Sequence, residues 1–296
     1  MRVAITGGTG FVGTHIAERF DPAEAVVVSR RMGISTDDVD GLAGAFAGCD
    51  VVVHCAGINR EIGEQTFQRV HVEGTAAVIE AARSASVGKV VMVSFVNARG
   101  HCGSGYHESK FAAEELVRSS GLDFTVLKPG MIYGRGDHLV DHLSRTVRTI
   151  PLFPTVGLRP KPIRPIPVSD FADVVEAAVR GRLSRETIAV LGAEQLALAE
   201  AVRRVARVVG RRVLVFRLPV WLHRVFAQLF EWTMRVPLLA KAQVRMLAEG
   251  VFEAPAGLDP LPDDLVPRTR FTDDEIRRAL PEEGRFGWRD LRVSRL

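Results

Sequence analysis

A glycine-rich turn stands almost at the start of the chain and constrains the fold more than any other feature. Gly7, Gly10 and Gly13 are three residues apart, after an apolar strand predicted over residues 2–6 and before a helix predicted over residues 11–20. In a dinucleotide-binding turn, one glycine allows the bend, the next lets backbone N–H groups approach a pyrophosphate, and the last lets helix and strand pack closely. The predicted cofactor-binding residues of this turn are Gly7, Thr9, Gly10, Phe11, Val12 and Gly13.

Short β-branched runs alternate with helical stretches through the first half of the chain. Strands are predicted over residues 2–6, 25–29, 50–55, 89–94 and 123–127, and helices over residues 11–20, 39–47, 65–84 and 106–119. Several of these strands are apolar at nearly every position, which is typical of a parallel sheet buried on both faces. The alternation predicts an α/β fold with a doubly wound parallel-sheet Rossmann domain.

The pattern changes after about residue 150. Residues 151–167 contain six prolines and predict a long loop, followed by a helix over 168–179 and a strand over 187–191. From residue 196 the pattern is mainly helical. We therefore predict an NAD(P)-binding Rossmann domain over residues 1–192, with the 151–167 loop contributing to its cleft. A smaller, mainly helical C-terminal substrate or partner lobe is predicted over residues 193–296.

The net charge of +4 conceals an asymmetry along the chain. Residues 201–296 hold 18 Lys and Arg against 12 Asp and Glu, and six arginines between residues 203 and 217 have no acidic residue among them. A solvated helix face is the favoured interpretation, and attraction to an anionic partner such as a membrane surface is the alternative. No nucleic-acid recognition motif accompanies the charge, so nucleic acid is not an expected partner.

The cysteine content and the N-terminal residues bear on the compartment. Cys49, Cys55 and Cys102 are too few for a disulfide scaffold and have no C-x-x-C spacing. No basic and apolar leader precedes the first strand, and no apolar run is long enough to span a bilayer. These features predict a cytoplasmic protein, with peripheral membrane association as the alternative. His and Cys residues near the strand ends lack metal-ligand spacing, so no metal site is predicted.

The residues after the second predicted strand bear on the choice of cofactor. The strand ends at Val28 and is followed by Ser29, Arg30 and Arg31. A site that prefers NAD places Asp or Glu here to hold the ribose 2′-hydroxyl, and this chain has neither. Guanidinium groups suit bidentate binding of a 2′-phosphate. NADP(H) is therefore favoured over NAD(H), with ordinary surface arginines as the alternative interpretation.

Further motifs follow the glycine turn in a characteristic order. They are HCAG at 54–57, VEGT at 72–75, Ser94, Tyr106 with Lys110, LKPG at 127–130, Tyr133-Gly134, and Pro165 with Val168 and DFA at 170–172. In this order and at these intervals, the chain resembles the extended or atypical short-chain dehydrogenases/reductases, an epimerase/dehydratase-like class. It is most similar to the group related to the NAD(P)H-binding accessory subunit of respiratory complex I. The resemblance runs from Val3 to roughly Pro281 and is strongest before Val179.

Tyr106 and Lys110 stand four residues apart, so both project from one face of the predicted helix. An ammonium group close to a phenol favours the phenolate form, which makes the pair suited to acid–base chemistry. The resemblance implies that Tyr106 exchanges a proton with the substrate oxygen, that Lys110 also holds the nicotinamide ribose, and that Ser94 hydrogen-bonds the substrate carbonyl. It also implies cofactor contacts at Ala56, Gly57, Pro129 and Gly130.

Three residues depart from the family pattern. His71 stands where an asparagine often takes part in a proton relay, and Phe95 stands where a second serine is frequent. Ser35 occupies the place of an aspartate near the adenine, although Asp37 and Asp38 lie close by. These departures bear on turnover and leave dinucleotide binding unaffected.

Residues 218–233 form a predicted amphipathic helix with an aromatic face. The apolar side holds Leu218, Trp221, Leu222, Val225, Phe226, Leu229, Phe230 and Thr233, and the other side holds His223, Arg224, Gln228 and Glu231. The favoured interpretation is that the aromatic face is buried against the body of the protein. A lipophilic pocket wall and a membrane-surface helix are the alternatives.

Taken together, the residues and the resemblance predict an NADP(H)-dependent oxidoreductase that acts on a carbonyl/alcohol pair of a small hydrophobic molecule. The alternative is a non-catalytic NADPH-binding protein, structural or redox-sensing, associated with a respiratory-type membrane complex. A third hypothesis is epimerase or dehydratase chemistry on a nucleotide sugar. The apolar character of the tail after residue 192 argues against that third hypothesis.

Overall fold

The strands of the computed structural model fall into one large sheet and three small ones. The structure describes residues 1–137, 139–234, 239–281 and 284–286. The strands are β1 (Val3–Thr6), β2 (Ala25–Val28), β3 (Val51–His54), β4 (Lys89–Val93), β5 (Asp123–Pro129), β6 (Met131–Tyr133), β7 (Leu152–Val156), β8 (Pro162–Ile163), β9 (Pro165–Pro167), β10 (Glu186–Val190), β11 (Leu196–Ala197) and β12 (Leu214–Leu218).

Helices follow most of the strands of the large sheet and make up much of the rest of the chain. They are α1 (Phe11–Ala17), α2 (Val39–Phe46), α3 (Gly74–Ser84), α4 (Gly105–Arg118), α5 (Leu139–Thr149), α6 (Val168–Val179), α7 (Leu198–Val208), α8 (Val220–Thr233), α9 (Lys241–Glu249) and α10 (Asp273–Ala279). The predicted helix over residues 65–84 is divided, because a π-helical segment, Gln68–Glu73, precedes α3.

The large sheet is parallel and has the strand order β10-β5-β4-β3-β1-β2. Its central strands are buried at every position, as the continuous apolar runs predict. β1 pairs with β2 on one side and with β3 on the other. The strand order therefore reverses at β1, while all the strands remain parallel. The predicted α/β fold with a parallel Rossmann sheet is confirmed.

The chain divides into two compact units whose residues interleave along the sequence. Unit 1 comprises Met1–Pro129, Val168–Val190 and Ala254–Val266, and it contains the six-stranded sheet with α1 to α4 and α6. Unit 2 comprises Gly130–Pro167, Leu191–Glu253 and Pro267–Leu296. One of the points at which the chain crosses from unit to unit lies between Val190 and Leu191, and the predicted boundary was placed at residue 192.

Unit 2 is built from three two-stranded sheets and the remaining helices. β6 pairs with β9 and β7 with β12 in parallel, and β8 pairs with β11 in antiparallel fashion. Its main core packs side chains of α5, α7 and α10 around Tyr133 and Phe271, whose rings meet edge to face at 4.9 Å. A smaller cluster joins Val156, Ala227 and Val244.

The predicted long loop over residues 151–167 is wrong, because this segment forms β7, β8 and β9. Each of these strands belongs to a two-stranded sheet, so a proline can face the unpaired edge where no backbone N–H is required. The partner of β7 is β12, some sixty residues later in the chain. Local proline content therefore predicted a loop where a distant strand supplies the pairing.

The aromatic face of α8 is also oriented differently from the favoured prediction. His223 and Ala227 are the buried residues of this helix, whereas Trp221 and Trp232 are 64% and 68% exposed. His223 Nδ1 lies 3.2 Å from Pro219 O, and its Nε2 lies 3.5 Å from Pro154 O. His223, which was predicted on the polar side, thus packs inward with Ala227, while Arg224 of that side stays exposed and the two tryptophans face outward.

Candidate active site

The glycine turn brings the end of β1 and the start of α1 into close contact. Gly7 has φ +69°, and a Cβ atom there would lie 2.7 Å from Ala56 N. A Cβ atom at Gly13 would overlap Gly7 O and lie 2.7 Å from Gly8 Cα. Only glycine therefore fits at these two positions. The turn leaves the first N–H groups of α1, which have no acceptor within the helix, beside an open backbone surface suited to a pyrophosphate.

The predicted cofactor residues of the turn have the exposure that a binding surface needs. Gly10 is exposed, and Thr9, Phe11 and Val12 are half-buried. Gly10 N donates to Gly7 O at 2.9 Å, which closes the turn. The structure therefore brings this predicted set together at one end of the parallel sheet.

The segment after β2 presents two exposed arginines. Ser29 is extended, and a 3₁₀ turn over Arg30–Met32 follows it. Arg30 and Arg31 are exposed, and neither forms an ion pair with any carboxylate in the described ranges. Ser29 Oγ is buried and has no hydrogen-bond partner among the described residues. The segment after β2 therefore holds two guanidinium groups without an ion-pair partner and one hydroxyl group without a hydrogen-bond partner in the described ranges. We call this segment the corner after β2.

The two acidic residues that follow this corner in sequence are already engaged. Arg69 Nε donates to Asp37 Oδ2 at 2.9 Å, and the Ser35 hydroxyl donates to the same carboxylate. These hydrogen bonds hold the pKa of Asp37 below its usual range, and Ser35 and Arg69 are the main causes. Asp38 caps α2 by accepting from Gly41 N at 3.0 Å.

His71 is a fixed neutral side chain between two segments of unit 1. Ile58 N donates to His71 Nε2 at 3.1 Å, so the ring proton lies on Nδ1, 2.8 Å from Ser109 Oγ. Burial and the neighbouring Lys110 lower the pKa of His71 to about 2. His71 therefore links the loop after β3 to α4 as a hydrogen-bonded neutral ring.

Tyr106 lies in the first turn of α4 within an aromatic surround. Its ring meets those of Phe67, His71 and Phe95 edge to face, at centroid distances of 5.6 to 5.7 Å. Tyr106 is 7% exposed, and burial raises the pKa of its phenol above the ordinary value. No group in the part of the chain that the structure describes hydrogen-bonds its hydroxyl oxygen.

Lys110 lies one turn further along α4 and is also buried. Its Nζ donates to Val93 O at 3.2 Å, and a Cβ atom at Gly57 would come within 3.1 Å of the same Nζ. Burial lowers the pKa of Lys110 to about 8, against smaller opposing effects of Cys55 and Glu114. The ammonium therefore stands at the end of β4, beside the open backbone of Gly57.

The Ser94 hydroxyl points to a different partner from the predicted substrate carbonyl. Ser94 Oγ donates to Glu114 Oε1 at 2.5 Å. Lys128 Nζ lies 2.6 Å from the same Oε1 and 2.8 Å from Oε2, and all three side chains are buried. The side chain that faces Tyr106 from the end of β4 is Phe95 instead.

The remaining predicted contacts, Pro129 and Gly130, follow one another at the end of β5. Pro129 O accepts from Val96 N at 2.9 Å within unit 1. Gly130 is the first residue of unit 2, where a Cβ atom would lie 2.9 Å from the Leu191 side chain. Ala56 and Gly57 follow β3, and Gly57 is exposed.

Residues 17–146 match the family model described as NAD(P)H-binding. The chain carries an NAD(P)H-binding domain. Ceramide reductase of Caulobacter vibrioides is 29% identical over 234 residues, covering 73% of this chain and 73% of that protein. Mouse mitochondrial NADH dehydrogenase (ubiquinone) 1 alpha subcomplex subunit 9 is 26% identical over 212 residues, covering 71% of this chain and 56% of that protein.

Solved structures share the fold at lower identity. UDP-glucuronic acid 4-epimerase from Bacillus cereus, in complex with NAD, superposes with a TM-score of 0.66 at 15% identity, covering 94% of this chain and 97% of that one. The resemblance of this NAD(P)H-binding chain to the extended or atypical short-chain dehydrogenases/reductases is confirmed. The match over residues 17–146 supports binding of a nicotinamide dinucleotide, and the relatives include a reductase and a subunit of NADH dehydrogenase.

Several residues of the NAD(P)H-binding domain were not singled out from the sequence. Glu114 and Lys128 form a buried ion pair, and a lysine within the apolar strand β5 was the signal that a buried acid must exist. Phe67 lies beside Tyr106, but nothing in its sequence context indicated that contact. Ser29 was noted only as the residue before the two arginines.

No three His, Cys, Asp or Glu side chains of the described ranges converge as metal ligands would. Burial raises the pKa of the Cys55 thiol to about 12, so this cysteine is a poor nucleophile. Among the described helices, none has both the length and the apolar character needed to cross a bilayer.

Proposed function

We propose that this protein is an NADP(H)-dependent reductase of a carbonyl group on a small hydrophobic molecule. The observation that carries the proposal is Tyr106, whose ring packs among aromatic rings four residues before a buried lysine, and whose hydroxyl has no hydrogen-bond partner in the described chain. A hydroxyl that no protein group engages is free to hydrogen-bond a ligand. A substrate oxygen would be the hydrogen-bond partner of this hydroxyl.

The protonation state of Tyr106 suits it to the proton donation that carbonyl reduction requires. The raised pKa of Tyr106 keeps its phenol protonated at neutral pH, so it can donate a proton to a carbonyl oxygen. When bound, NADPH would supply a hydride for the carbonyl carbon. The proton leaves Tyr106 Oη for the new alcohol, and Lys110, with a pKa of about 8, stabilises the phenolate that remains.

The surroundings of Tyr106 support a hydrophobic substrate. Phe67 and Phe95 pack against the phenol ring, and Phe95 replaces the serine that is frequent at its position in the family. An apolar wall favours a carbonyl that is attached to hydrocarbon over a sugar, which would need hydrogen-bond partners. The name of the relative ceramide reductase refers to a lipid, which agrees with a hydrophobic substrate.

The test is the variant Tyr106→Phe, assayed with NADPH on a panel of long-chain aldehydes and ketones. We expect the reduction rate to fall about 10²- to 10⁴-fold, because the general acid is removed. NADPH affinity and thermal stability should stay close to those of the wild type, since the hydroxyl has no protein partner in the described residues.

The matched control is Ser94→Ala. Because the Ser94 hydroxyl donates to Glu114, this variant should lose stability, by about 1–3 kcal/mol, while kcat falls less than about tenfold. An active wild type whose Tyr106→Phe variant turns over normally would show that another group donates the proton. A large loss of kcat in a stable Ser94→Ala variant would instead support the role implied by the resemblance, in which Ser94 hydrogen-bonds the substrate carbonyl.

A second candidate is a non-catalytic NADPH-binding protein that serves a membrane-associated respiratory complex. The engagement of Ser94 by Glu114 and of His71 by Ile58 and Ser109 favours it, because both residues are fixed in the structure. The similarity to a subunit of NADH dehydrogenase supports the same candidate. A wild type that binds NADPH tightly but reduces no member of the carbonyl panel would favour this candidate over the reductase.

A further inference from the structure

The outer face of α8 exposes large apolar side chains along its whole length. Trp221, Val225, Leu229 and Trp232 are 64%, 56%, 48% and 68% exposed, and their spacing of four, four and three residues places them on one stripe. A fourteen-residue helix is about 20 Å long. Exposed apolar stripes of this size mark an interaction surface in proteins that remain soluble.

The strand pair β7–β12 continues the apolar surface within the same unit. Leu152 pairs with Leu214, and these side chains are 47% and 64% exposed. Phe216, two residues further along β12, is 38% exposed on the same face of the strand. α8 begins two residues after β12 ends, so the strand pair and the helix are directly continuous in the chain.

Most of the charges around this surface are positive. Residues 150–168 and 209–230, which contain β7, β12 and the first eleven residues of α8, include no Asp or Glu. They hold seven basic residues, Arg159, Lys161, Arg164, Arg211, Arg212, Arg217 and Arg224. Arg212, Arg217 and Arg224 each stand within two residues of an exposed apolar side chain.

The arginines of α7 differ from those of β12 and α8. Arg204 pairs with Glu194 at 3.0 Å, and Arg207 pairs with Asp273 at 3.1 Å. Arg211, Arg212 and Arg224 are exposed and form no ion pair within the described ranges. The basic run of the sequence thus divides into a paired half on α7 and an unpaired half beside the apolar surface.

We propose that α8 and the strand pair β7–β12 form a docking surface for an anionic lipid bilayer. Aromatic and aliphatic side chains would enter the interface between headgroups and acyl chains, and the unpaired arginines would contact anionic headgroups. Tryptophan is enriched at membrane–water interfaces, and here one stands near each end of the exposed stripe. A protein partner would ordinarily be matched by acidic as well as basic residues, whereas the acidic residue of α8, Glu231, is already paired with Lys241 at 3.8 Å.

This inference does not depend on the proposed reductase activity, because every residue it uses lies in unit 2 and none belongs to the candidate active site. The test uses the full-length protein and co-sedimentation with phosphatidylcholine vesicles, with and without phosphatidylglycerol. We expect binding to the phosphatidylglycerol vesicles and little binding to phosphatidylcholine alone. Raising the ionic strength from about 0.1 M to about 1 M should weaken binding, because the Debye length shortens from about 10 Å to about 3 Å.

Two double variants separate the apolar and electrostatic contributions. Trp221→Ser with Trp232→Ser should lower vesicle affinity at least about tenfold, through loss of apolar burial. Arg211→Gln with Arg212→Gln should lower it about 25-fold on anionic vesicles only, at roughly fivefold for each arginine. Both pairs are exposed, so both variants should keep the wild-type melting temperature.

The control is Val266→Ser, an exposed apolar residue of unit 1, which should bind vesicles like the wild type. Absence of vesicle binding by the wild type at low salt would overturn the proposal. Equal binding of the wild type and the folded tryptophan variant would do the same. So would a wild-type dimer that the tryptophan variant converts to a monomer without any vesicle binding, because the surface would then join two copies of this chain.

Discussion

Polar side chains near the end of β4 are satisfied in very different ways. Glu114 is 1% exposed and accepts from Ser94, Lys128 and Arg118, so its charge is fully compensated by protein groups. The Tyr106 ring packs against aromatic rings while no described group hydrogen-bonds its hydroxyl, and Ser29 Oγ, after β2, has no partner in the described chain. Groups that the protein itself satisfies hold the fold, whereas unsatisfied ones are available to a ligand.

At this scale, the two arginines after β2 give a direct prediction about cofactor choice. Arg30→Ala with Arg31→Ala should weaken NADPH binding about 10- to 100-fold, because a charge-assisted contact contributes about 1.5–3 kcal/mol. NADH binding should change less than about threefold, since NADH has no 2′-phosphate. Isothermal titration calorimetry with both cofactors measures this, and Arg203→Ala, an exposed arginine of α7, is the control. An equal loss of affinity for the two cofactors would contradict 2′-phosphate recognition.

Elements with a local signal were predictable from the sequence, and elements whose signal is distant were not. Apolar runs located the central strands to within one or two residues, and the glycine spacing located the turn. β7 was missed because its partner β12 is remote in sequence. The orientation of α8 was missed because periodicity identifies an apolar stripe but not whether protein covers it. Similarly, the four-residue spacing of Tyr106 and Lys110 could be read from the sequence. The Ser94–Glu114 contact could not, because it depends on tertiary packing.

The turn that joins β1 to α1 supports a prediction about packing. Gly13→Ala should destabilise the protein by about 1–3 kcal/mol and weaken NADPH binding, because its Cβ atom would overlap the Gly7 carbonyl. Gly44→Ala is the matched control within α2, where a Cβ atom would meet nothing within 4 Å. This second variant should stabilise the protein by about 0.5–1 kcal/mol. Urea unfolding of both variants measures these changes in the free energy of unfolding. An unchanged stability of Gly13→Ala would mean that α1 is not packed this closely.

For the whole molecule, buried histidines make stability depend on pH. Burial, with a further effect of Lys110, lowers the pKa of His54 to about 3, and that of His71 is lowered to about 2. Both stay neutral in the folded state while the unfolded chain takes up protons below about pH 6.5. Their contribution to stability is therefore complete above pH 6.5 and is lost as the pH falls. Asp137, with a pKa raised to about 7 by burial, acts in the opposite sense.

The prediction compares the pH dependence of stability of the wild type with that of a histidine variant. The contribution of Asp137 is the same in both proteins and cancels. Each histidine should cost about 1.4 kcal/mol of unfolding free energy per pH unit below 6.5. His71→Asn, whose amide oxygen can still accept from Ile58 N, should lose about 2 kcal/mol less than the wild type between pH 6.5 and pH 5. Urea titrations across this range measure both slopes. Parallel slopes for the two proteins would show that His71 is protonated in the folded state.

The strand order has a consequence for the chain while it is being synthesised. β10 covers the edge of β5 in the large sheet, yet it ends at Val190, long after β5 ends at Pro129. At roughly 5–20 residues per second, the ribosome leaves that edge unpaired for several seconds. An open strand edge is a template for pairing with other chains. The segment Ala254–Val266 arrives later still, and Asp259 N then donates to Thr187 O on β10. A fragment that stops before residue 190 therefore leaves the edge of β5 exposed to aggregation.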